Sequence, residues 1–151
     1  MSIEQRLGAL GITLPETPQP VANYVTAVQA GHLLFVSGHT STKPGRVVTG
    51  KLGASVTVEA GYAAAKSVAI DIIATIKAHV GDLNKITRVV KLTGMIASTA
   101  DFIDQPKVMN GASDLFVEVF GERGKHARAA VGMVSLPGDA AVEIEGIFEV
   151  Y

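Results

Sequence analysis

The chain of 151 residues contains no cysteine and no tryptophan. Without cysteine there is no disulfide, no thiolate zinc site and no thiol nucleophile. That usage fits a reducing compartment, so a cytoplasmic location is expected. Aromatic residues make up only 5% of the chain, and the net charge of −1 comes with lysine and arginine scattered rather than clustered. A nucleic-acid surface normally needs a basic stripe or stacking aromatics, so no nucleic-acid partner is expected. No segment approaches the roughly 20 apolar residues of a membrane span. The longest helical stretch is interrupted by Lys66, Asp71 and Lys77, and Met1-Ser2-Ile3-Glu4-Gln5-Arg6 lacks the charged-then-apolar pattern of a signal peptide. The histidines, His32, His39, His79 and His126, fall into no ligand-like spacing, and there is no phosphate loop and no nucleophile elbow. No metal is expected.

What is present describes a folded domain. Hydrophobic residues make up 48% and charged residues 18%, enough for one sizeable core. Residues 1–20 read as an N-terminal extension: a short helix over Glu4 to Leu10, then an extended stretch holding Pro15, Pro18 and Pro20. Residues 21–151 read as one domain. Strands are predicted at 21–28 and 32–38, joined at Gly31, the second buried on both faces over 33–36. Lys43-Pro44-Gly45 is a turn. Thr57 caps a helix with Glu59 in its first turn, and that helix runs to Val80 and stops at Gly81. A strand follows at 88–97, with Val90, Leu92 and Ile96 on one face. A second helix starts at Asp101-Phe102 and continues through Val108 to Phe120. Strands at 127–134 and 141–150 flank the turn at Leu136-Pro137-Gly138-Asp139. The order β-β-α-β-α-β-β predicts an α+β fold with two helices over one face of a sheet. Two helices cannot cover both faces, and the second face mixes apolar residues with charges, so a partner subunit is expected there.

The residues that invite chemistry are Arg128 and Glu143. Arg128 sits among small apolar residues in Ala127-Arg128-Ala129-Ala130-Val131, and Glu143 lies fifteen positions later in Val142-Glu143-Ile144-Glu145. A guanidinium or a carboxylate is costly to take out of water without a partner. Either the two pair with each other, or with charges of another subunit, or Arg128 holds an arriving small carboxylate with its planar fork. Glu145 and Glu149 read as solvated or pairing charges.

His126-Ala127-Arg128, then Leu136-Pro137, then Val142-Glu143-Ile144-Glu145 resemble the C-terminal signature of the Rid/YjgF family, also called endoribonuclease L-PSP. Asn23-Tyr24-Val25, Phe35-Val36-Ser37-Gly38 and Asp101-Phe102 with Val108-Met109-Asn110 agree in order, so the resemblance covers about residues 20–150. It implies a chorismate-mutase-like α+β fold with a mixed sheet, assembled as a homotrimer with clefts between subunits. It also implies hydrolytic deamination of 2-imino and enamine acids to 2-keto acids and ammonia, without a metal or organic cofactor. By that likeness Arg128 holds the substrate carboxylate and Glu143 handles the attacking water. Tyr24, Ser37, Gly38, His39, Asn110 and Ala130 fall on pocket-lining positions. Two of these depart from the family pattern: Ala130 stands where deaminases often have cysteine, and His39 where glutamine is usual. The N-terminal extension resembles that of a longer subgroup. The alternatives are a non-catalytic trimer that binds small carboxylates and a ribonuclease.

Overall fold

Thr57 and Gly81 bound the longest helix of the computed structural model, which describes residues 1–17 and 23–151. The Thr57 hydroxyl accepts from the Ala60 amide, and Gly81 closes the far end at φ 81°, a backbone angle that costs glycine nothing. This helix, α2 (Val58–Val80), packs beside α3 (Gln105–Phe120) on one face of a five-stranded sheet. The strands are β1 (Ala27–Ala30), β2 (Leu33–Thr40), β3 (Ile86–Ala97), β4 (Ala127–Met133) and β5 (Val142–Val150), in the order β1-β2-β5-β3-β4. All neighbours are antiparallel except β3 and β4, so the sheet is mixed. A short helix, α1 (Ile3–Ala9), precedes them all.

The core lies between sheet and helices. Leu34, Val36, Leu92, Ile96, Ile144 and Phe148 meet Ile72, Ile76, Leu115 and Phe116 there, all buried. Along β5 the alternation is regular: Val142, Ile144, Phe148 and Val150 are buried, whereas Glu143, Glu145, Ile147 and Glu149 face away. The opposite sheet face also carries Phe35, Met95 and Val131, with Phe35 and Val131 exposed. That is the mixed surface the sequence predicts.

Several expectations need correction. The first strand does not span 21–28. Asn23 to Thr26 is irregular, β1 starts at Ala27, and residues 21 and 22 lie outside the described residues. Strand β2 is not buried on both sides. It alternates, with Phe35 42% exposed, because no helix covers its second face. In β3 the core takes Val89 rather than Val90, because register irregularities at Ile86/Arg88 and Val89/Lys91 shift the alternation. Asp101-Phe102 forms a turn, and α3 begins only at Gln105, where Pro106 suits the first helical turn.

The N-terminal stretch is seated on the domain as far as it is described. Ile3 and Leu7 are buried, Ile12 and Leu14 pack against the core, and the Glu16 carbonyl accepts from Lys43 at 2.6 Å. Residues 18–20 of the predicted extension lie outside the described residues.

Candidate active site

The geometry divides the predicted residues into two groups. The first surrounds an irregularity in β2. Pairing with β5 runs Val36 to Gly146 and resumes His39 to Ile144, so three steps on β2 match two on β5. The extra residue is a bulge at Ser37-Gly38, a device that re-aims side chains at a sheet edge. β1 has ended by this point, and the edge of β2 opens onto a cavity of about 260 Å³. Tyr24, Ser37, Gly38, His39, Lys43 and Asp71 are among its walls. The Ser37 hydroxyl donates to the Val25 carbonyl at 2.6 Å, holding the Tyr24 segment against the bulge.

Glu143 reaches the same bulge from β5. Its carboxylate lies over the backbone of Gly38 so closely that a β-carbon there would collide with it. A side chain at 38 would displace the Glu143 carboxylate from this position. Among the described residues Glu143 has no ion-pair partner and no side-chain hydrogen bond. Burial raises its pKa above the ordinary value, and Glu145 alongside adds to the shift.

Behind the cavity sits a polar cluster that sequence reasoning did not single out. Asp71, buried on α2, pairs with Arg46 and lies 3.7 Å from Lys43, and Arg46 also donates to Ser67 Oγ at 2.6 Å. The signal was available: a lone carboxylate in Ile70-Asp71-Ile72-Ile73 is the same anomaly as Arg128 among alanines. His39 stands beside this cluster and lines the same cavity. It lies within β2, buried, with Nδ1 at 2.6 Å from the Ser37 carbonyl and Nε2 at 2.8 Å from the Thr75 hydroxyl. Both ring nitrogens are thus engaged, and burial holds the pKa below the usual histidine value.

The second group gathers at the opposite edge strand. Arg128 of β4 is level with Leu92 of β3, a core residue, and its guanidinium turns toward α3. It donates to Ser113 Oγ at 3.0 Å and to the Pro106 carbonyl at 3.5 Å. Asn110 lies between those two positions in sequence and on the same side of the helix. Ala130 follows Arg128 on the same face of β4 and packs on the core.

Arg128 and Glu143 do not meet within one chain. Glu143 is level with Met95 and Arg128 with Leu92, two strands apart and three residues along, roughly 14 Å at strand spacings. An odd offset also sends them to opposite faces of the sheet. An internal ion pair between them is excluded.

Among the described residues no set of three or more acidic or histidine side chains comes together to hold a metal. No helix there is long and apolar enough to cross a membrane.

A family model described as "YjgF/chorismate_mutase-like, putative endoribonuclease" matches residues 4–144. Protein TCP17 of Trypanosoma cruzi is 45% identical over 149 residues, covering 97% of this chain and 93% of that protein. A protein of Dermatophagoides farinae named 2-iminobutanoate/2-iminopropanoate deaminase is 29% identical, covering 90% of this chain and 92% of its own length. The crystal structure of Atu1372 from Agrobacterium tumefaciens, described as of unknown function, superposes with a TM-score of 0.91 at 49% identity, covering 99% of this chain and 92% of that one. With its mixed five-stranded sheet, its helices on one face and this match over nearly its whole length, the chain belongs to the YjgF/chorismate-mutase-like family.

Proposed function

We propose that this protein hydrolyses 2-imino acids, and the enamines in equilibrium with them, to 2-keto acids and ammonia. The site would be completed by two subunits of a homotrimer. The observation that carries this reading is Glu143: a half-buried carboxylate without a partner among the described residues, set over Gly38, which itself lines the cavity, with its pKa raised. A carboxyl group whose pKa is raised in this way is better suited to exchange protons with a substrate than an ordinary surface carboxylate. The distant relative named as an imine deaminase supports the choice of reaction.

Arg128 supplies the complementary half. Its fork has room for a carboxylate, since the contacts it makes are to one hydroxyl and one carbonyl and neither neutralises it. In one protomer it stands at the far edge of the sheet from the β2 bulge and Glu143. The edge of β4 in one subunit therefore lies against the β2 edge of the next. Arg128, with Asn110 and Ala130 beside it, fixes the carboxylate of the substrate. Tyr24, Ser37, Gly38 and Glu143 of the neighbour enclose the reacting carbon.

The chemistry then balances simply. Water attacks the imine carbon as Glu143 accepts one of its protons. Glu143 passes that proton to the imine nitrogen, which becomes the amine of a tetrahedral adduct. The proton of the new hydroxyl then reaches the amine through Glu143, the carbon–nitrogen bond breaks, and ammonia leaves a 2-keto acid. The substrate is labile on its own, so positioning contributes most of the gain. No redox partner is required.

The test is the decay of 2-iminopropanoate generated in situ by a dehydratase. Wild type should accelerate it and Arg128→Ala should not. Absence of acceleration by wild type would remove this reading and favour a carboxylate-binding protein without turnover.

A further inference from the structure

We propose that Ser113 and His126 are positioning residues for Arg128: a two-step hydrogen-bond relay that orients the guanidinium. The inference rests on the carboxylate-binding role given to Arg128 above, but its geometry stands apart from that role.

The relay starts at the helical turn before β4. His126 Nδ1 lies 2.6 Å from the Gly124 carbonyl. A carbonyl only accepts, so Nδ1 carries the proton and Nε2 is left as an acceptor. Nε2 lies 2.9 Å from Ser113 Oγ, so the serine hydroxyl donates to it. The lone pairs of that oxygen are then turned to Arg128 Nη1, which donates at 3.0 Å. Every donor in the chain faces an acceptor. The serine cannot rotate its hydroxyl toward Arg128 without breaking the bond to His126.

The ring itself is held in place. Phe116 of α3 stacks against it edge to face, with centroids 6.3 Å apart. Burial is the main cause of its lowered pKa, and the positive charge of Arg128 works in the same direction against the Gly124 bond. Both effects favour the neutral ring, which is the state the relay needs. The spacing is legible in the strand: His126 and Arg128 are two apart, so both side chains leave on the α3 side and reach one serine. An arginine on an edge strand has many rotamers, and holding one reduces the entropy lost when a carboxylate binds.

Two sets of measurements test this. The first is independent of catalysis: ¹⁵N NMR of the histidine rings above their pKa. The relay requires protonated Nδ1 and bare Nε2 at His126, and Arg128→Met should raise the pKa of that ring. The reverse tautomer would overturn the proposal, whether or not the protein is a deaminase. The second is kinetic. Ser113→Ala should raise KM for 2-iminopropanoate about tenfold while kcat changes far less, the loss expected for one charge-assisted hydrogen bond. Ser113→Thr, which keeps the hydroxyl, should restore KM. His126→Gln, which keeps an acceptor near Nε2, should stay close to wild type where His126→Leu resembles Ser113→Ala; this pair also decides the matter if Ser113→Ala folds poorly. Unchanged KM in both Ser113→Ala and His126→Leu would refute the relay. If wild type shows no turnover, the deaminase reading fails and the tautomer alone decides the relay.

Discussion

Asp71 lines the cavity at the β2 bulge and Glu143 lies over Gly38 of that bulge, and the protein treats these two carboxylates in opposite ways. Asp71 is almost fully buried and is given two cations, Arg46 and Lys43. Glu143 is half-buried and is given none among the described residues; it lies over Gly38. A buried charge without a partner destabilises a fold, so a chain that supplies two cations to one carboxylate and none to the other has not been shaped by stability alone. The paired group braces the cavity wall; the unpaired one is kept available. Perturbed carboxyl groups in clefts are where proton-transfer chemistry is sought.

The largest expected effect falls on the unpaired member. Glu143→Gln keeps the shape and removes the proton acceptor, so turnover of 2-iminopropanoate should fall by about 10² or more while the fold is kept, as read by kinetics beside circular dichroism. Asp71→Ala should do the reverse. Leaving Arg46 and Lys43 without their anion should cost about 3 kcal/mol and lower Tm in a thermal melt. If the two substitutions had the same effect on stability, the contrast drawn here would collapse.

A pH series sharpens the comparison. The folded pKa of Glu143 is raised, so its protonated form is the one that suits the native state. Its contribution is complete below the unfolded value of about 4.5 and is lost as pH rises through the folded value. Glu143→Gln removes that loss. Its Tm should exceed that of wild type at neutral pH, and the gap should close as pH falls toward 4.5. A constant gap would show that the titration of Glu143 does not set it. The smallest effect belongs to a residue outside both sites: Thr57→Ala removes the cap of α2 and should cost about 1 kcal/mol by denaturant titration, with no change in KM.

Much of this was readable in the chain because each signal is local. The cap at Thr57, the stop at Gly81 and the alternation of β5 depend on neighbours a few residues away, and all lie where the sequence places them. The bulges did not read out. The one in β2 sets Gly38 under Glu143, and the irregularities in β3 put Val89 rather than Val90 in the core. A bulge is a property of two strands in register, and a single strand does not encode it alone. Arg128 and Glu143 stood out as costly charges, but that cost does not say which face of the sheet each takes. The offset of three positions across β3 decides that, and it appears only when pairing is known. Asp71 gave the same warning as Arg128, and in the sequence it reads as a mere interruption of an apolar helix.

The central claim is that the guanidinium of one subunit completes the carboxylate site of another. Mixing two inactive variants tests it most directly. Arg128→Ala and Glu143→Gln chains, unfolded together and refolded as mixed oligomers, should regain about a quarter of wild-type turnover of 2-iminopropanoate, because one interface in four then joins two intact halves. No recovery in mixed oligomers of confirmed composition would contradict a site shared between subunits.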